Sequence, residues 1–134
     1  MRVVLDTNVF VSSFLGSGPP RKIIDLWNEG KITLCLSQPI VEEYTAILLR
    51  LGLSGKKELE ELIHLFAKGT NIIFAGKTEP INLTIADPDD LMFFECAQEL
   101  NAKYIISGDK AILGVKEFLG IKTITAANFI KLID

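Results

Sequence analysis

Short β-branched runs that keep returning between longer stretches of helical period constrain this chain more than any other feature. The runs 3–5, 32–36, 71–74, 104–107 and 122–124 read as strands. Between them, 8–15, 20–28, 37–51, 56–67, 91–101 and 126–132 carry apolar residues at helical spacing, and 110–113 reads as a short turn or helix. Glycine and proline mark the breaks, as in Gly16-Ser17-Gly18-Pro19-Pro20 and at Gly52, Gly55 and Gly69. Strands that alternate with helices imply βαβ crossovers, so the expected class is α/β, a mainly parallel sheet covered by helices on both faces. The helices around 37–51 and 56–67 are expected to form a hairpin. In such a sheet ligands meet the carboxyl ends of the strands, which makes the residues just past each strand the informative ones.

The 134 residues fit one domain, expected to span 1–134. An apolar share of 49% with 17 acidic and 14 basic residues scattered along the chain excludes a disordered sequence. No apolar run approaches the roughly 18 residues of a membrane span, and Asp6 and Asn8 interrupt the opening stretch where a secretory leader needs an unbroken apolar core. Cys35 and Cys96 lie in apolar segments without a C-x-x-C pairing, so they read as buried free thiols of a reducing, cytoplasmic protein. A formal charge of -3 removes any argument from bulk basicity to nucleic acid.

Two acids stand just beyond predicted parallel strands: Asp6 after Val3-Val4-Leu5, and Asp109 after Tyr104-Ile105-Ile106-Ser107-Gly108. Each is also a natural helix cap. Asp87-Pro88-Asp89-Asp90 is a helix start, with Asp87 as cap and Pro88 in the first turn. Asp90 heads the row Phe93, Phe94, Ala97, Leu100, whereas Asp89 heads Met92, Phe93 and Cys96, so periodicity leaves open which acid turns inward. Glu43 shares a face with Ile40 and Ile47, while Glu42 aligns with Gln38, Thr45 and Ala46. If Asp6, Glu43, Asp90 and Asp109 converge, two of their charges 4 Å apart repel by about 4 kcal/mol at an effective dielectric near 20. The set must then protonate, spread apart or hold a cation, and oxygen ligands without His or Cys suit Mg²⁺ or Mn²⁺. The lone His64 lies among Leu62, Ile63 and Leu65 and reads as a surface or packing residue.

VVLDTNVFVSS, SQPIVEEY, DPDDLMFFECA and YIISGDKAIL, in that order over one domain's length, resemble the PIN-domain family of metal-dependent nucleases, which includes VapC-type toxins of toxin-antitoxin pairs. The resemblance implies a three-layer α/β/α sandwich around a mainly parallel sheet, with one or two divalent ions, Mg²⁺ or Mn²⁺, held among acids at its carboxyl edge. Residue by residue it implies Asp6 as first acid with Asn8 helping to orient it, and Glu43, six residues after Ser37, as second. Asp90, seven residues before Ala97, is the third, and Asp109 the fourth with Ser107 as a supporting hydroxyl. Ala111 and Ile112 stand where some relatives carry a further acid. The implied activity is endoribonuclease hydrolysis of RNA phosphodiester bonds, leaving a 5′-phosphate, and the implied partner is an antitoxin.

Basic residues are needed to bring RNA to an acidic site, and Arg21, Lys22, Arg50, Lys56, Lys57 and Lys110 are the candidates. Tyr44, Leu48, Leu49, Leu53 and Phe66 offer apolar surface for a homodimer or an antitoxin peptide. Two other readings stand beside the nuclease. LDTN after a first strand resembles a DxD phosphatase nucleophile motif, with Asn8 in place of the second acid. A PIN-like module could also bind RNA or protein without cutting.

Overall fold

Six strands form one sheet in a computed structural model that describes residues 1–16, 18–52 and 57–133. In chain order they are β1 (Arg2–Leu5), β2 (Thr33–Ser37), β3 (Ile72–Ala75), β4 (Tyr104–Ile106), β5 (Glu117–Phe118) and β6 (Ile121–Ile124). The order across the sheet is β3-β2-β1-β4-β6-β5, with every pairing parallel except that of β5 with β6. The helices are α1 (Thr7–Leu15), α2 (Pro19–Asn28), α3 (Gln38–Arg50), α4 (Lys57–Lys68), α5 (Leu91–Glu99), α6 (Lys110–Leu113) and α7 (Ala126–Ile133). From β1 the chain steps outward through β2 to β3, then returns across the sheet to β4. Right-handed crossovers therefore set α1 to α4 on one face and α5 on the other. The fold is the α/β/α sandwich that the alternation of strands and helices implies.

The central strands are apolar on both sides because both sides are covered. Val3, Val4, Ile105 and Ile106 have no exposed surface, and α5 packs across β1, β2, β4 and β6. On the opposite face α2 packs between α1 and α7. Trp27 of α2 is buried there, its indole N–H donating to the Thr70 carbonyl at 2.9 Å while the Asn71 amide donates to the Trp27 carbonyl at 2.9 Å. These bonds tie the end of α2 to the entry of β3. Cys35 and Cys96 are buried free thiols, as their apolar surroundings suggested.

The helices α3 and α4, expected as a hairpin, both pack on α1; α3 also packs against α5, and α4 sends Phe66 against Phe10 and Trp27. Leu53, Gly55 and Lys56 fall outside the described residues. The strand β5 has no counterpart among the runs expected from the sequence. It pairs Glu117 with Lys122 and Phe118 with Ile121, leaving Leu119 and Gly120 as a two-residue turn. Both turn residues have positive φ, 50° and 86°. That is the pattern of a type I′ hairpin, in which Asn-Gly is favoured and a leucine is strained. Leu119 is also 70% exposed. Leu119→Asn is expected to stabilise the protein by about 0.5–1 kcal/mol, read as a higher urea midpoint with unchanged slope.

Candidate active site

The chain leaves β1 towards β2 and leaves β4 towards β6, so the crossovers from this adjacent pair depart in opposite directions. Such a switch point opens a crevice at the carboxyl ends of the two strands. Asp6 follows β1 directly, and Ser107 and Asp109 follow β4. The helix-cap reading of these aspartates holds and still leaves both at the crevice, because each spends one oxygen on its helix. Asp6 Oδ1 accepts the Val9 N–H at 2.8 Å, and Asp109 Oδ1 accepts the Ala111 N–H at 2.7 Å. The Ser107 hydroxyl donates to Asp6 Oδ2 and accepts the Asp109 N–H at 2.9 Å. One serine thus fixes the two acids relative to each other.

Glu43 and Asp90 come to the same crevice from helices. Glu43 sits half-buried on α3, where its Oε2 accepts the Thr7 hydroxyl. The next residue, Tyr44, is buried, and its hydroxyl donates to the Leu5 carbonyl at the end of β1. Asp87 caps a 3₁₀ turn over Pro88–Asp90 by accepting the Asp89 N–H at 3.0 Å. That tighter turn resolves what periodicity left open: Asp89 is exposed, whereas Asp90 is half-buried and lines the crevice. Asp90 Oδ2 is shielded from solvent, and among the described residues no donor reaches it.

Asp6, Glu43, Asp90 and Asp109 therefore line one cleft of about 150 Å³, with Ile47, Phe93 and Ile112 as apolar walls. No lysine or arginine is among its lining residues. Burial raises the Asp6 carboxyl above its usual value despite the bonds from Ser107 and Val9, and the Asp109 charge adds to the rise. Burial also raises Asp90 to about 6, helped by the charges of Asp109, Asp87, Glu43 and Asp6. Uncompensated anions, one with an unused oxygen, suit a hard divalent cation. Among the described residues no three His, Cys, Asp or Glu side chains are yet drawn into a coordination cage. Mutual repulsion favours such spreading.

The raised values set a pH dependence. An acid whose folded-state pKa lies above its unfolded value of 3.8 binds its proton more tightly when folded, so stability is lost as pH rises through the folded pKa. For Asp90 the loss runs from about pH 4 to just above pH 6. Asp90→Asn is expected to match the wild-type protein in urea denaturation at pH 4 and to exceed it at pH 7.5.

Asn8 lines the cleft, and among the described residues the hydrogen bonds to the Asp6 carboxylate come from the Val9 N–H, which the first turn of α1 offers to the cap, and from Ser107. Thr7 is the residue that sequence reading missed, although its place directly after Asp6 was a signal. Of the expected partner surface, Tyr44 is buried against Phe10 and Phe66 packs on Phe10 and Trp27, since α1 takes up both apolar faces. Leu49 stays 75% exposed and Leu51 49%. Arg21 pairs with Glu61 at 2.7 Å, while Lys22, Arg50, Lys57 and Lys110 are exposed. His64 is exposed as well. Among the described residues no helix is long and apolar enough to cross a membrane.

The fold is shared with the crystal structure of VapBC2 from Rickettsia felis bound to a DNA fragment from their promoter. That likeness has a TM-score of 0.54 and covers 92% of this chain and 97% of the other, at 16% identity. An uncharacterized protein of Methanocaldococcus jannaschii, MJ1680, is 32% identical over 123 residues, 87% of this chain and 76% of that one. The PIN domain family model matches residues 2–111. Because the match reaches from the first strand past Asp109, it spans all four acids of the cleft, and this chain belongs to the PIN domain family.

Proposed function

We propose that residues 1–134 act as one catalytic domain, a divalent-metal-dependent endoribonuclease, and that the protein is the toxin of a cytoplasmic toxin-antitoxin pair. The observation that carries the reading is the gathering of Asp6, Glu43, Asp90 and Asp109 in a cleft whose lining includes no base. PIN domains are generally nucleases, and Mg²⁺ or Mn²⁺ is the cofactor this oxygen-only donor set fits. When bound, the ion supplies hydroxide near neutral pH and offsets charge developing on the phosphate.

The chain's own residues do the rest. Asp6, Asp90, Glu43 and Asp109 would hold the ion; Ser107 fixes the Asp6 carboxylate and the Asp109 N–H. Ile47, Phe93 and Ile112 wall the cleft against bulk water on its apolar sides. No histidine or cysteine is among the lining residues of the cleft; in the proposed hydrolysis water is the nucleophile and the 3′-oxygen the leaving group, so a 5′-phosphate results and the RNA 2′-hydroxyl is not consumed. An antitoxin is proposed as partner because the fold is that of a chain solved as VapBC2 with promoter DNA. Leu49 and Leu51 are the apolar positions left on α3 and its exit for that partner or for a second copy.

The test is metal-dependent cleavage of single-stranded RNA by the purified protein. Cleavage with Mn²⁺ or Mg²⁺ and none after chelation is the expected result. A protein that binds RNA yet turns none over under any divalent ion would instead be a binding module, a reading that Ile112 in the cleft wall favours because no further acid stands there. Trapped phospho-aspartate at Asp6 would identify a phosphatase.

A further inference from the structure

We infer that Thr7 is a positioning residue for Glu43, a role that rests on the nuclease reading and extends it. Thr7 is 7% exposed and stands at the first position of α1, where Asp6 already supplies the helix cap. Its hydroxyl is therefore not needed by its own helix, and it reaches across to α3 to donate to Glu43 Oε2. No hydrogen bond among the described residues takes Glu43 Oε1. No lysine or arginine among them pairs with Glu43 either.

The choice of donor matters physically. A half-buried glutamate is ordinarily steered by a cation, which would cancel its charge and fill the cleft. A hydroxyl steers one oxygen, stays neutral, and leaves the full negative charge and the second oxygen for a ligand. Ser107 likewise steers Asp6 Oδ2 with a neutral hydroxyl, although there the other oxygen, Oδ1, is taken by the Val9 N–H. Tyr44, beside Glu43, bonds the Leu5 carbonyl, so two adjacent residues of α3 are fastened to the end of β1 and the start of α1. The Glu43 carboxylate is set by Thr7, and its backbone by Tyr44.

The experiment uses the full chain and follows Mn²⁺ binding by titration calorimetry at pH 7.5 beside cleavage of a single-stranded RNA. Thr7→Val keeps the shape and removes the donor; it is expected to weaken Mn²⁺ binding about tenfold, as loss of a hydrogen bond behind a metal ligand does. Thr7→Ser keeps the donor and is expected to restore near wild-type binding, which packing alone would not. In a Glu43→Ala background, Thr7→Val is expected to add no further loss. If the valine variant fails to fold, Thr7→Ala read against Thr7→Ser carries the same comparison. Thr7→Val that binds Mn²⁺ like the wild-type protein, or that adds its full loss without Glu43, overturns the role of Thr7 alone. Wild-type protein that binds no Mn²⁺ and cuts no RNA overturns the nuclease reading, and this role with it.

Discussion

Asp6→Asn is expected to lower RNA cleavage by about a thousandfold or more while leaving the protein folded. The two halves of that outcome come from different oxygens of one side chain. Oδ1 caps α1 through the Val9 N–H, and an asparagine retains a side-chain oxygen that accepts this bond. Oδ2 takes the Ser107 hydroxyl and faces an environment in which burial disfavours its charge. Asparagine removes that charge, so it relieves repulsion in the cleft and takes away one anionic ligand of the proposed ion. The melting temperature of Asp6→Asn is therefore expected to equal or exceed that of the wild-type protein. Asp6→Ala separates the effects, since it also loses the cap and is expected to cost about 0.5–2 kcal/mol of stability. Full cleavage by well-folded Asp6→Asn would remove this residue from the reaction.

The parts of this arrangement that were legible in the sequence are those set by short-range rules. Asp6 follows one apolar strand directly and Asp109 stands three residues past the end of another, and parallel strands end at one edge, so their approach could be read from the chain alone. Glu43 was legible because α3 is regular and its apolar face is clear. Asp90 was not separable from Asp89, because the helical count assumes 100° per residue and the turn over Pro88–Asp90 is 3₁₀. The β5 hairpin escaped notice for a similar reason: a two-residue strand has no period, and Leu119-Gly120 lacks the usual turn chemistry. The Thr7–Glu43 bond joins residues 36 apart, and no local pattern announces such a partner. Tyr44 and Phe66 show the limit of amphipathic reasoning, which finds an apolar face without saying which helix covers it.

That covering helix supplies the second large effect. Phe10 of α1 has no exposed surface, stacks on Tyr44 at 3.9 Å between ring centroids, and meets Phe14 edge-on at 5.2 Å and Phe66 at 6.1 Å. One ring thus joins α1, α3 and α4. Phe10→Ala is expected to destabilise the protein by about 3–5 kcal/mol, because the three elements cannot all close on the space left. Against a total stability of about 5–15 kcal/mol, that removes between roughly a fifth and all of the folding margin. Phe10→Leu, which refills most of the volume but loses the stacked contact, is expected to cost about 1–2 kcal/mol. Guanidinium denaturation of the three proteins measures both steps. The leucine variant also tests the link from core to site: Tyr44 keeps its hydroxyl bond to the Leu5 carbonyl only if its ring stays in place, so a loss of cleavage larger than the loss of folded protein is expected. Equal stability of wild-type protein and Phe10→Ala would mean that α3 is held over β1 by its hydrogen bonds alone.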